Sequence, residues 1–198
     1  MEQDRELEFA TTPNLLTLAR MACVPIVVAL LFIGTRRADL AAALVFGAAS
    51  ITDYLDGYLA RLQKSVSIYG KLMDPLADKF LVVSSLIMLQ HLGRLDPIWV
   101  IVLVCRELAI TGLRALASAE GVIMSASASA KWKTATQMVA IPFMMAKEPL
   151  FRIPIYPIGQ VLLAISIAMS IGSGVGYVVE FFKKLPERRR VQKRTQSA

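Results

Sequence analysis

The chain has 198 residues, 56% of them hydrophobic, and a formal net charge of +7. Soluble domains usually hold about 45–50% apolar residues, and the apolar stretches here run to about 20 residues, the length that crosses a bilayer, so a water-soluble globule is set aside. The positive charge does not indicate nucleic acid, because Lys and Arg gather near helix ends and in the last stretch of the chain, a pattern that fits membrane topology and anionic lipid.

In chain order, Met1 to Glu6 is acidic and lacks the basic region of a cleaved signal peptide. The segment before the first span reads as a short interfacial leader. Six spans are expected, roughly Leu15–Gly34, Leu40–Leu62, Leu72–Leu92, Pro97–Ser118, Lys133–Leu150 and Ile158–Phe182. The expected fold is therefore all-α: a polytopic membrane protein with six transmembrane helices, one membrane domain over residues 1–184 and a basic tail over 185–198. Ser118–Ala130, rich in Ala and Ser, reads as a connector with little core of its own. Leu185 onward reads as mobile. Its Lys and Arg residues place it in the cytoplasm, and six spans put the N-terminus on the same side, in a cell membrane. Cys23 and Cys105 read as small core residues, His91 as an interfacial polar residue, and Trp99 and Tyr156 as an aromatic belt. Met144 and Met145 read as lipid-facing or core filler. Gly172, Gly174 and Gly176 are candidates for close helix packing.

The chemistry concentrates between residues 53 and 78. Four aspartates stand there in the order Asp53-x-x-Asp56-Gly57-x-x-Ala60-Arg61, then eight residues, then Gly70-x-x-x-Asp74-x-x-x-Asp78. Ionised carboxylates in apolar helices need partners, and the cations within the window, Arg61, Lys64 and Lys71, are too few to neutralise the cluster and hold a substrate as well. Residues three and four apart share a helix face. Asp53 and Asp56 thus fall on one stripe of the second span, Asp74 and Asp78 on one stripe of the third, and the short connection makes the spans antiparallel neighbours. Four carboxylates facing one another suit Mg²⁺ or Mn²⁺; without Cys or His in the window, zinc is disfavoured. Two such ions serve in-line phosphoryl displacement. Gly57, Ala60 and Gly70 leave room for a flat ligand, and Arg61 supplies a phosphate-reading fork at the rim. The other explanation, packing glycines beside an ion path through a transporter or channel, leaves the two-helix spacing and Ala60-Arg61 unaccounted for.

The window resembles, at every fixed position, the signature of the CDP-alcohol phosphotransferases. Thr12-Pro13-Asn14-Leu15-Leu16-Thr17-Leu18-Ala19-Arg20, Cys105-Arg106-Glu107-Leu108 with Leu113-Arg114, and Lys131-Trp132-Lys133-Thr134 with Gln137-Met138 are similar to stretches of the bacterial phosphatidylglycerophosphate synthases in that family. The resemblance implies a six-span homodimer whose site opens to the cytoplasm and moves a phosphatidyl group from CDP-diacylglycerol to an alcohol, releasing CMP. It implies Asp53, Asp56 and Asp74 as ligands of two metal ions and Asp78 as both ligand and general base. It also implies contacts to the CDP moiety from Gly57, Ala60 and Arg61, with Asn14, Thr17 and Gly70 near the donor and Arg20 a weaker candidate beside them.

The signature does not choose the acceptor. Arg106, Arg114, Lys131 and Lys133 near the cytoplasmic ends suit an anionic acceptor, glycerol 3-phosphate, over choline or ethanolamine, which would want carboxylates or aromatics. Inositol 1-phosphate and phosphatidylglycerol are the other acceptors this reading admits. Arg106 lies mid-segment, where an unpaired charge is costly, with its neighbour Glu107 directed elsewhere round the helix. The tail is expected to meet anionic head groups.

Overall fold

Two glycine turns and one proline-started helix divide the first two-thirds of the chain. The computed structural model describes the backbone of residues 12–63, 68–120, 122, 128–149 and 152–196, and the side chains of 18–52, 77, 79–120, 122, 132–149 and 152–184. Among the described residues there are six helices: α1 (Thr12–Ile33), α2 (Arg36–Gln63), α3 (Ile68–His91), α4 (Pro97–Ala119), α5 (Ala128–Ala146) and α6 (Ile155–Gln196). Among the described residues the protein is all-helical. Gly34, at φ +66°, ends α1, and the hydroxyl of Thr35 accepts from the Ala38 N–H at 3.3 Å to start α2. Asp96 caps α4, accepting from the Ile98 N–H at 2.9 Å, with Pro97 in the first helical position.

The chain forms two compact units. The first comprises Met1–Leu95 and Met138–Val161. There α1 packs against both α2 and α3. The buried stripes are Arg20, Val27 and Leu31 on α1, Ala42, Phe46 and Ala49 on α2, and Ala77, Leu81, Ser85 and Leu89 on α3. Met144 and Met145 are fully buried core filler.

One end of this unit is fastened by Arg94. Gly93, also at φ +66°, closes α3: its N–H donates to the Gln90 carbonyl and that of Arg94 to the Leu89 carbonyl, the paired bonds of a Schellman turn. The turn delivers the Arg94 side chain inward, only 8% exposed. Its guanidinium donates to Asp39 Oδ2 at 2.5 Å and to the Met145 carbonyl at 2.6 Å, and the Arg94 carbonyl accepts from the Tyr156 hydroxyl at 3.0 Å. One residue thereby joins α2, α3, α5 and α6. Tyr156, expected in an aromatic belt, is spent on this contact. The exposed pair Arg36–Glu148, 2.9 Å apart, contributes little by comparison.

Gly159 is the tight crossing between α5 and α6. A Cβ there would lie 2.9 Å from Phe143 Cβ and 3.0 Å from the Ala140 carbonyl. Among the described residues a Cβ at Gly172 or Gly176 meets nothing within 4 Å, whereas Gly159 makes a close approach.

The second unit comprises Asp96–Gln137 and Leu162–Ala198. Ala117, Val122 and Phe181 form a small buried cluster with Leu113 against it, so the Ala/Ser connector does contribute one core residue. Cys105 is exposed and Cys23 half-buried, and neither forms a disulfide, so Cys105 is not the core residue its composition suggested. Helix α6 runs on to Gln196. The stretch from Leu185, expected to be mobile, continues that helix, as its Glu, Arg, Lys and Gln residues favour. An i,i+4 pair between Lys184 and Glu180, 2.6 Å apart, sits where the apolar part ends.

By length and composition one helix among the described residues can cross a membrane, Ile155–Lys184; Leu18–Ile33 and Lys79–His91 are shorter apolar stretches. Large apolar side chains are exposed along the helices, among them Phe32, Leu44, Ile51, Ile101, Leu108 and Val161. A surface of this kind marks contact with membrane or with another protein.

Replacing Arg94 with Met strands the Asp39 carboxylate in the core and is expected to destabilise the protein by about 3–5 kcal/mol. The change is read as a lower thermal midpoint in detergent, with the double variant Arg94→Met/Asp39→Leu recovering much of it. In the same measurement Gly159→Ala is expected to cost about 1–3 kcal/mol. Gly172→Ala should be neutral or up to about 1 kcal/mol stabilising through helix propensity.

Candidate active site and cation network

The acidic window divides between two helices of the first unit. Asp53, Asp56, Gly57, Ala60 and Arg61 lie within α2, and Gly70, Asp74 and Asp78 within α3. The backbone at all eight positions is helical, as the spacing requires. Their side chains lie outside the described residues, as do those of Asn14, Thr17 and Lys131. Among the described residues no group of three His, Cys, Asp or Glu side chains forms a metal site.

Around the window the described side chains are informative. Arg20 is 4% exposed and lies on the inner stripe of α1, the helix that packs on both acidic helices. A buried arginine in an apolar helix marks function or a buried partner. The sequence carries that signal, a lone cation five residues after Leu15 in an otherwise largely apolar run, although Asn14 and Thr17 are the stronger candidates by resemblance.

The second unit holds a polar network inside apolar helices. Arg106 on α4 uses all three guanidinium nitrogens: Nε donates to the Ser170 carbonyl at 3.0 Å, NH2 to Ser173 Oγ at 2.8 Å, and NH1 to Glu107 Oε2 at 3.1 Å. The same Glu107 oxygen accepts from Lys133 Nζ of α5 at 2.7 Å. The Lys133 carbonyl accepts from Ser166 Oγ at 3.1 Å. One helical turn beyond Ser173, Arg114 lies over the Tyr177 ring, 4.8 Å from its centroid. Ser166, Ser170, Ser173 and Tyr177 recur every three or four residues and so form one polar stripe of α6. A Cβ at Gly174 would meet Arg106 Nε at 3.5 Å, an ordinary van der Waals contact. Ser170 Oγ is buried with no hydrogen-bond partner among the described residues.

Three of the four cations expected to serve the acceptor, Arg106, Arg114 and Lys133, are therefore gathered in one unit with the α6 stripe. The direction of Glu107 differs from expectation. Adjacent helical residues diverge by about 100°, but the long Arg106 side chain turns back to meet the carboxylate. Lys133, expected at the start of a span, is buried, because α5 begins at Ala128 and places it a turn further in.

These features define an all-α protein with charged side chains set within apolar helices. A family model described as CDP-alcohol phosphatidyltransferase matches residues 10–172, and the chain belongs to that family. Curated relatives named CDP-diacylglycerol–glycerol-3-phosphate 3-phosphatidyltransferase share 36% identity in Rickettsia bellii (strain RML369-C) and in Bacillus subtilis (strain 168). Each alignment covers 83% of this chain and 92% of the relative. A relative in Arabidopsis thaliana, named as form 2 of the same enzyme, is 35% identical over 88% of this chain and 81% of its own length.

Proposed function

We propose that the chain transfers the phosphatidyl group of CDP-diacylglycerol to glycerol 3-phosphate, giving phosphatidylglycerophosphate and CMP. The observation that carries the site assignment is helical register. On α2 the buried positions Ala42, Phe46 and Ala49 step on by three and four residues to positions 53 and 56. On α3 Leu81 and Ala77 step back by three to positions 78 and 74. Both inward stripes thus continue, in phase, into the signature aspartates.

Asp53, Asp56, Asp74 and Asp78 offer only hard oxygen donors, the set that suits two Mg²⁺ or Mn²⁺ ions. When bound, such ions supply charge neutralisation at the diphosphate and at the leaving CMP oxygen. Asp78 takes the proton of the acceptor hydroxyl. The hydroxyl oxygen bonds to the lipid-linked phosphorus as the bond from that phosphorus to the bridging oxygen of CMP breaks, in a single displacement. Arg61, Gly57, Ala60, Gly70, Asn14 and Thr17 hold the CDP moiety. Arg20 adds a fixed, desolvated cation on the helix that touches both acidic helices, where its charge acts with little screening. Arg106, Arg114, Lys131 and Lys133 bind the acceptor's phosphate.

The exposed apolar side chains support six membrane spans in a cell membrane. The basic end of α6 supports cytoplasmic termini, with membrane lipids as neighbours and a second copy of the chain as partner.

The test is CMP release from CDP-diacylglycerol by the purified protein in detergent, with Mg²⁺ or Mn²⁺, against a panel of acceptors. Release is expected only with glycerol 3-phosphate and is abolished by EDTA. Asp78→Asn should lower kcat by about 10²–10⁴-fold, and Arg20→Met should also lower activity while the protein stays folded. Release with inositol 1-phosphate in place of glycerol 3-phosphate would overturn the acceptor; ion flux in liposomes without CMP release would overturn the enzyme.

A further inference from the structure

Glu107 stands outside the aspartate signature and outside every role given above. Its carboxylate is nonetheless the junction of the second unit's polar network. A single oxygen, Oε2, accepts from Arg106 NH1 on α4 and from Lys133 Nζ on α5, at 3.1 and 2.7 Å. The two cations are 13% and 7% exposed, whereas the Glu107 side chain is 30% exposed. The anion therefore lies toward the outside of the pair it joins.

Two cations this close repel each other strongly in apolar surroundings, and the anion between them offsets that repulsion. Arg106 is fixed on its other side, where Nε and NH2 are committed to Ser170 and Ser173. Among the described residues, the Glu107 carboxylate is the partner that directs NH1. A lysine side chain has a flexible stem and no preferred direction of its own, so Lys133 is held in register with Arg106 through the same oxygen.

We propose that Glu107 is a positioning residue for the acceptor. It holds Arg106 NH1 and Lys133 Nζ side by side, at a separation that two oxygens of one phosphomonoester can span. This rests on the reading above in which these cations bind the acceptor's phosphate.

The experiment compares wild type, Glu107→Gln and Glu107→Asp in the CMP-release assay. It measures kcat, KM for each substrate, and inhibition by inorganic phosphate competing with glycerol 3-phosphate. Glu107→Gln should raise KM for glycerol 3-phosphate about tenfold or more. The inhibition constant for phosphate should rise in parallel, and KM for CDP-diacylglycerol should stay within about twofold. Glu107→Asp should recover part of the loss. An unchanged KM for glycerol 3-phosphate with a lowered thermal midpoint would make Glu107 structural and overturn the proposal. A KM that falls would make it a competitor of the phosphate, and an equal rise for both substrates would also overturn it. If Glu107→Gln alone does not fold, the pair Lys133→Gln and Lys133→Gln/Glu107→Gln decides. A second substitution that raises KM for glycerol 3-phosphate as much as the first would sink the idea that Glu107 acts through Lys133. Wild type that releases no CMP with glycerol 3-phosphate sinks the functional reading; wild type that does, with an unmoved KM in the variants, sinks only this one.

Discussion

A charge set among apolar helices must find its counter-charge within hydrogen-bonding distance, because no water is there to solvate it. Arg94 and Asp39 meet that demand at one end of the first unit. The solution is local and depends on backbone geometry: Gly93 in the left-handed region closes α3, the turn sends Arg94 inward, and the guanidinium finds a carboxylate in the first turn of α2. The remaining guanidinium valence satisfies a carbonyl at the end of α5. With that end secured, α1 can lie on α2 and α3 along their whole inward stripes. Those stripes lead to the positions of the four signature aspartates.

The two units answer the same constraint differently. In the first, the described core is mostly Leu, Met, Ala and Phe, with charge confined to Arg20 and to the Arg94–Asp39 pair. In the second, an arginine, a lysine, a glutamate and three serines are woven between α4, α5 and α6. A purely structural core would be better served by apolar side chains of the same volume. Under the proposed function, an anionic acceptor gives such a network a use beyond stability.

Much of the fold was legible because helix boundaries depend on local chemistry. Gly34, Gly93, Asp96 and Pro97 each act within a few residues of themselves, and the expected spans match α1 to α4 to within about four residues. The helical placement of the acidic window was legible for the same reason, since it depends on spacing. What the sequence concealed depends on distance in the chain or on side-chain reach. The Arg94–Asp39 pair joins residues 55 apart. Glu107 looked directed away from Arg106, since helical periodicity describes Cβ directions and not the end of a five-atom side chain. Three glycines in α6 looked like a packing motif, yet the crossing is made by Gly159, which no spacing rule singled out. The helical backbone of the tail was not foreseen, because high charge resembles disorder, while the same residues are good helix formers once a preceding helix removes the need for nucleation.

That continuity has a consequence for α6 within the second unit, where it runs from Leu162 to Gln196. Its polar stripe is gripped by Arg106 and Arg114, while its far end carries the clustered arginines and lysines. Between the two stands Pro186, which cannot donate its turn's backbone hydrogen bond and so makes that point the easiest place for the helix to bend. A bend there leaves the serines on Arg106 where they are, so the basic end can change direction without disturbing that arginine's seat.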